Sequence, residues 1–287
     1  MKKVLVLGST GLIGHQVFNH LKSCGRYNLY NFSYRKKLQD DTTLLDLRNF
    51  DNFYQNIIDI SPNFIINCVG LLINGSNADP ENAIFLNSYL PHRLARVADE
   101  IKAKLIHIST DCVFSGDKNE PYVEQDEKDG RGIYPRSKGL GEIITNKHLT
   151  LRTSVVGPEL KRDGEELFHW FMNETGEVRG YTDAIWSGVT TIELAKAVEC
   201  SIRKNISGLY HVTNNSFINK YDLLKLFQKY TSKDTTISPV AGYKTNKSFL
   251  DTRKLLDFEI PSYEIMISEM VEFMRNNESL YSQYGLK

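Results

Sequence analysis

The chain has 287 residues, 41% hydrophobic and 24% charged, enough to bury a sizeable core as one large domain or a domain with a smaller lobe. Thirty-five basic residues balance thirty-five acidic ones, so no single-signed field is available to attract nucleic acid or an anionic membrane. Cys24, Cys68, Cys112 and Cys200 lack metal-ligand or disulfide-framework spacing, and no apolar run approaches a membrane span or a signal-peptide core; a reduced, cytoplasmic protein without a metal is expected.

The first half alternates strands and helices. "KVLVLG" reads as a strand buried on both faces. Leu12, Ile13, Val17, Phe18 and Leu21 then recur at helical spacing. Strands follow at 27–35 and 43–47, a helix at 50–62 ended by proline, and a strand at 64–70. A helix at 83–101 contains Pro91 as a potential kink. Next come a strand at 104–110, a helix at 134–145 and a strand at 149–157. Strands separated by helix-length segments imply parallel pairing with right-handed crossovers, a doubly wound sheet. After residue 157 the rhythm breaks into shorter pieces: helices in "TIELAKAVECSI", "KYDLLKLFQKYT" and "SYEIMISEMVEFMRNN", and a strand in "GLYHVT". Residues 1–157 are expected to form the dinucleotide-binding domain with the catalytic residues. Residues 158–287 are expected to form mainly a substrate lobe, with some segments free to return to the first domain.

"GSTGLIG" (8–14) lies between the first strand and the first helix. A tight turn and close backbone approach each require a missing side chain, and the helix N-terminus then offers free N–H groups to a pyrophosphate. The spacing of Gly8, Gly11 and Gly14 also suits a purely structural turn; its position one strand into a doubly wound fold favours the phosphate. Gly8, Thr10, Gly11, Leu12, Ile13 and Gly14 are the candidate cofactor contacts here. The second strand ends "FSYRKK", where Ser33 and Arg35 replace the acid that would hold a ribose 2′-hydroxyl. A guanidinium can clamp a 2′-phosphate, which favours NADP(H) and leaves NAD(H) open; the alternative is a solvated basic loop.

The stretch 108–142 carries the chemistry. Ser109, Thr110 and Asp111 end the fifth strand, and Tyr134 follows 24 residues after Thr110 with Lys138 one helical turn beyond. A nearby ammonium and an oxidised nicotinamide both favour a phenolate, so such a tyrosine can exchange a proton with a carbonyl oxygen as hydride moves. A Thr110 hydroxyl would hold the same oxygen.

With "GSTGLIG", "STDCVFSG", "PYVE", "YPRSKGLGE", "LRTSVVG" and the weaker "GLYHVT", the chain resembles an extended short-chain dehydrogenase/reductase, most closely the dTDP-4-dehydrorhamnose reductase family. The resemblance is strong to about residue 160 and looser beyond. It implies an α/β, Rossmann-type doubly wound parallel sheet with a smaller C-terminal α/β lobe, and it makes Thr110, Tyr134 and Lys138 the catalytic trio. Tyr134 would be the proton donor, and Lys138 would bind the nicotinamide ribose and tune the tyrosine. Asp46 and Leu47 would approach the adenine, and Cys68, Val69 and Gly70 would line the cofactor. Asn87 would face the active-site region, or else be a helix-surface amide. Thr110, Asp111, Val113, Phe114 and Trp186 are the candidate substrate contacts; Trp186 could stack on a base or sugar ring, or belong to the core. Lys247 and Arg253 are further cations suited to a diphosphate.

The departures from the family pattern lie at Cys112 and Ser115, at Pro135 after the tyrosine, which a first helical turn tolerates, and at "YTDAIWSGVTTIEL" and "TNKSFLDTRKL" downstream. The implied activity is NADPH-dependent reduction of the 4-keto group of a nucleotide-diphospho-6-deoxyhexose, either dTDP-4-dehydrorhamnose-like or a UDP-linked N-acetylated sugar, for polysaccharide precursor synthesis. The single acid after Thr110 disfavours a dehydratase. A sugar-nucleotide epimerase, or a non-catalytic regulatory subunit of the same fold, are the alternatives; an intact trio argues against the latter. A homodimer is left open.

Overall fold

A computed structural model describes residues 1–286; Lys287, the last residue of the expected lobe, lies outside the described residues. β1 (Lys2–Leu7), α1 (Leu12–Cys24), β2 (Tyr27–Ser33), β3 (Thr43–Leu44), α2 (Phe50–Ile60) and β4 (Phe64–Asn67) open the chain. α3 (Ile73–Ala78), α4 (Pro80–Ala83), a π-helical turn at Ile84–Tyr89, α5 (Leu90–Glu100), β5 (Lys104–Thr110), α6 (Ile133–Leu140) and β6 (Leu149–Thr153) follow. β7 (Val155–Val156), α7 (Leu167–Asn173), β8 (Glu177–Tyr181), β9 (Ala184–Trp186), β10 (Val189–Thr190) and α8 (Thr191–Lys204) lead to β11 (Gly208–His211). The last elements are β12 (Ile218–Asn219), α9 (Lys220–Thr231), β13 (Thr236–Val240), β14 (Thr245–Lys247), α10 (Tyr263–Asn276) and α11 (Glu278–Tyr281).

The central sheet is parallel and seven-stranded, in the order β11-β6-β5-β4-β1-β2-β3. Strand order reverses between β1 and β4, so a crevice opens beyond their carboxyl ends, where doubly wound sheets bind ligands. Alternate strand residues feed two cores. Val4, Val6, Ile66, Ile106 and Ile108 pack with α1, α8 and α10 on one face, and Leu5, Leu7, Ile65 and Leu105 with α2 and α5 on the other. β11, the expected "GLYHVT" strand, joins the edge of this sheet beside β6, and α8 packs on α1, so residues 191–211 are part of the central layer. Three small sheets, β12-β9-β14, β13-β8 and β10-β7, make up the rest.

Several expected elements differ in extent, each for a local reason. The 43–47 strand shrinks to Thr43–Leu44, while Leu45 and Leu47 turn into the core. The 64–70 strand stops at Asn67, whose side-chain oxygen accepts from Val69 N and bends the chain off the sheet. The 149–157 strand divides at Ser154, its second part pairing with β10. The 134–145 helix ends at Leu140, because Gly141 presses against the Asn87 carbonyl, its added Cβ being only 3.0 Å from that carbonyl carbon. The 83–101 helix is interrupted by the π-helical turn, not bent at Pro91. Proline has no N–H to give the carbonyl four residues back, that of Asn87, and the π register absorbs the defect.

Candidate active site

The cofactor side begins at Gly8, held at φ +77, where most side chains are strained. A Cβ at Gly14 would strike the Gly8 carbonyl, and one at Gly8 would stand 3.1 Å from Val69 Cγ2 and 3.3 Å from the Cys68 carbonyl carbon. The glycine turn and the turn after β4 therefore touch, bringing Gly8, Cys68 and Val69 to the crevice. Gly11 is the N-cap of α1 and offers no side-chain hydrogen bond, so the first N–H groups, at Leu12, Ile13 and Gly14, are left for an anion. Thr10 lies between these glycines, half-buried. Gly70, directly after Val69, would place a Cβ 2.9 Å from Asn87 Oδ1 and 3.8 Å from Lys138 Nζ.

At the end of β2 the Ser33 hydroxyl donates to the Lys36 carbonyl and shapes the loop. The Arg35 guanidinium lies 5.0 Å over the Tyr34 ring and is exposed. Arg48, which sequence reasoning missed, stacks on the same ring at 5.4 Å, donates to Tyr34 Oη at 2.8 Å and grips Asp46 at 2.6 Å. That grip holds the Asp46 carboxyl below its usual range. The expected adenine-side acid is thus neutralised by a neighbour two residues on, and two guanidiniums flank one aromatic ring. Leu47 is buried in the α2 core.

Asn87 is fully buried. Its Oδ1 accepts from Leu71 N at 2.9 Å, and its Nδ2 donates to Leu71 O at 3.0 Å and Ser137 Oγ at 3.1 Å. It is not a surface amide: it ties the turn after β4 to α6.

Thr110 and Tyr134 are both buried, and the nearby Thr110 hydroxyl opposes the rise in the phenol's proton affinity. Thr110 Oγ1 also donates to Asp111 Oδ1 at 3.2 Å and accepts from Cys112 N at 3.1 Å. Lys138 Nζ donates to the Ile108 carbonyl at 2.7 Å, beneath the same strand end. Burial dominates both titrations. The Tyr134 phenol is pushed up, and the Lys138 ammonium falls to about 8, opposed by Glu142; the Cys68 thiol beside it rises to about 12 and stays neutral. The expected lowering of the tyrosine is therefore not a property of the protein alone; without the positive nicotinamide, desolvation wins. Below, Arg152 holds buried Glu142 at 2.6 and 2.8 Å, and Glu142 accepts from Ser109 Oγ at 2.8 Å, so the strand end is rigidly braced.

The side chains of several expected substrate contacts are enclosed by protein. Val113 and Phe114 are about 1% exposed and pack with Tyr122 and Phe249; Phe114 stacks on Tyr122 at 4.2 Å, so both side chains brace the loop instead of lining the cleft. Trp186 is 3% exposed, its Nε1 donating to Ser154 Oγ at 2.8 Å, and Lys220 Nζ covers its ring at 5.2 Å. No base can stack there without displacing the lysine. Arg253 donates to the Leu209 carbonyl within β11, away from the crevice, whereas Lys247 donates to the Phe114 carbonyl and acts on Asp111. Lys220 and Glu166 were missed: one opens an ordinary-looking amphipathic helix, the other caps α7 by accepting from Phe168 N at 2.8 Å. Only the tertiary fold brings them toward Asp111.

The chain is similar to known proteins over nearly its whole length. It is 28% identical to the spore coat polysaccharide biosynthesis protein SpsK of Bacillus subtilis, over 84% of this chain and 83% of that protein. It is 24% identical to dTDP-4-dehydrorhamnose reductase of Escherichia coli, over 93% and 96%. The crystal structure of dTDP-4-dehydrorhamnose reductase from Bacillus anthracis in complex with NADP superposes with a TM-score of 0.82, at 24% identity, covering 95% of this chain and 99% of that one. The family model for the RmlD substrate binding domain matches residues 1–274, and the chain belongs to that family.

Proposed function

We propose that this protein is an NADPH-dependent reductase acting on the 4-keto group of a nucleotide-diphospho-6-deoxyhexose. The observation that carries the reading is the burial of Thr110 and Tyr134 at a braced strand end, with Lys138 one turn away, in a chain of this family. The glycine cradle fits a pyrophosphate, and Arg35 with Arg48 fits a 2′-phosphate. When bound there, NADPH supplies the hydride. A C–H bond forms at the carbonyl carbon, the C=O becomes C–O–H, and the proton comes from Tyr134. Thr110 donates to the oxygen as charge develops on it. Lys138 places a positive charge behind the phenolate that remains, and Asn87 keeps Gly70 and Ser137 in place around it.

The test is NADPH consumption by the purified protein with a panel of dTDP-, UDP- and GDP-linked 4-keto-6-deoxy sugars. Stoichiometric oxidation with one nucleotide class supports the reading. Turnover of a plain ketone alone would remove the nucleotide-sugar substrate, and retention of cofactor with interconversion of sugar epimers would make the protein an epimerase.

A further inference from the structure

Lys220 is half-buried. It is the first residue of α9, yet its Nζ lies inward, over the buried Trp186 indole. An ammonium has three donors. Among the described residues Lys220 Nζ meets no hydrogen-bond acceptor and no ion-pair partner, and only the ring face touches it. The ionisable groups facing it are Asp111, Glu166 and Cys112, and burial lowers its own proton affinity. Burial raises the proton affinity of both the Asp111 and the Glu166 carboxyls, and Lys220 opposes the rise in each. The half-buried ammonium keeps solvent access, with donors that no protein acceptor fills, so it is free to pair with an anion that enters.

A second ammonium reaches the same region from a separate element. Lys247, on β14, donates to the Phe114 carbonyl and exerts its charge on Asp111 and Cys112. Both lysines therefore converge beside Asp111, the residue after Thr110. A hexose carries its C1 substituent across the ring from C4. With the C4 oxygen on Thr110 and Tyr134, the group on C1 falls on the lobe side of the cleft. We propose that Lys220, assisted by Lys247, binds the diphosphate of the sugar nucleotide, so that substrate recognition rests on this α9 lysine. The inference rests on the substrate reading above and names the residue that enforces it.

The experiment is calorimetric titration, in the presence of NADP⁺, of dTDP, UDP and the uncharged nucleosides into wild type, Lys220→Gln and Lys220→Arg, with NADPH affinity and steady-state kinetics measured alongside. Loss of one charge-assisted contact should weaken the preferred nucleoside diphosphate by about 10- to 100-fold in Lys220→Gln. KM should rise more than kcat falls, NADPH affinity should be unchanged, and Lys220→Arg should restore most of the binding. Equal nucleoside diphosphate affinity in wild type and Lys220→Gln would overturn the inference and leave the substrate reading standing. Equal losses for NADPH and nucleoside diphosphate would overturn it too, by showing a structural role. Failure of the wild type to bind any nucleoside diphosphate would remove the substrate reading and this inference together.

Discussion

Gly14→Ala is a strong test of the cofactor cradle, because the structure sets the size of the insult. The new Cβ would lie 2.7 Å from the Gly8 carbonyl carbon and 3.1 Å from Ser9 Cα, where ordinary contact begins at 3.4 Å. Both neighbours are backbone, so no rotamer can relieve the clash, and the turn itself must shift. Overpacking of this kind costs about 1–3 kcal/mol. For a chain of this size that lowers Tm by roughly 3–10 °C. The same displacement moves the α1 N–H groups off a pyrophosphate, and losing one or two charge-assisted contacts weakens NADPH by about 10- to 1000-fold. Gly25→Ala supplies the control. Gly25 has φ +64 and nothing within 4 Å of an added Cβ, so it loses about 1–2 kcal/mol to left-handed strain without touching the cradle. Fluorescence titration of NADPH, paired with thermal unfolding, separates the two. Gly14→Ala should lose affinity and Gly25→Ala should keep it. Wild-type affinity in Gly14→Ala would refute the close-approach reasoning.

Three further outcomes are expected. Arg35→Ala should weaken NADPH by about tenfold or more and leave NADH nearly unchanged, since it removes a guanidinium suited to the 2′-phosphate; equal losses in parallel titrations would make Arg35 structural. Arg48→Ala should also disfavour NADPH over NADH, because it leaves the Asp46 carboxylate uncompensated, and a shift toward NADPH would contradict this. Glu166 has a folded pKa of about 8 against 4.5 ordinarily, so the stability it contributes is full below pH 4.5 and lost as pH rises through 8. Thermal unfolding at pH 5 and pH 8.5 should show Glu166→Gln losing less stability than wild type over that interval, and equal losses would sink the assignment.

Much of the sheet was legible because strands such as β1, β4 and β5 are short, mainly apolar runs between turn signals, and β5 and α9 match their expected ends to the residue. The trio was legible because it is local: Thr110 ends a strand, and Tyr134 and Lys138 share a helix face. What could not be read depends on distant partners. Trp186 looks like a stacking platform until Lys220, 34 positions on, is folded over its ring. Phe114 and Val113 sit in a motif that suggests contact with substrate, but Tyr122 and Phe249 enclose them. Asp46 seemed available to a cofactor, and Arg48 occupies it. Pro91 was visible in the sequence, but not the π-helical turn that absorbs it nor the close approach of Gly141 to the Asn87 carbonyl. "GLYHVT" was read as a strand, but nothing within it says that it lies beside β6 in the central sheet.

The central claim is that Tyr134 gives the proton as a carbonyl is reduced. Single-turnover NADPH oxidation with the active nucleotide sugar, comparing wild type with Tyr134→Phe, tests it most directly. The substitution removes only a hydroxyl, one that is buried near Thr110. NADPH affinity should be nearly unchanged, while the chemical step slows by about two or more powers of ten. A single-turnover rate close to wild type would contradict the account.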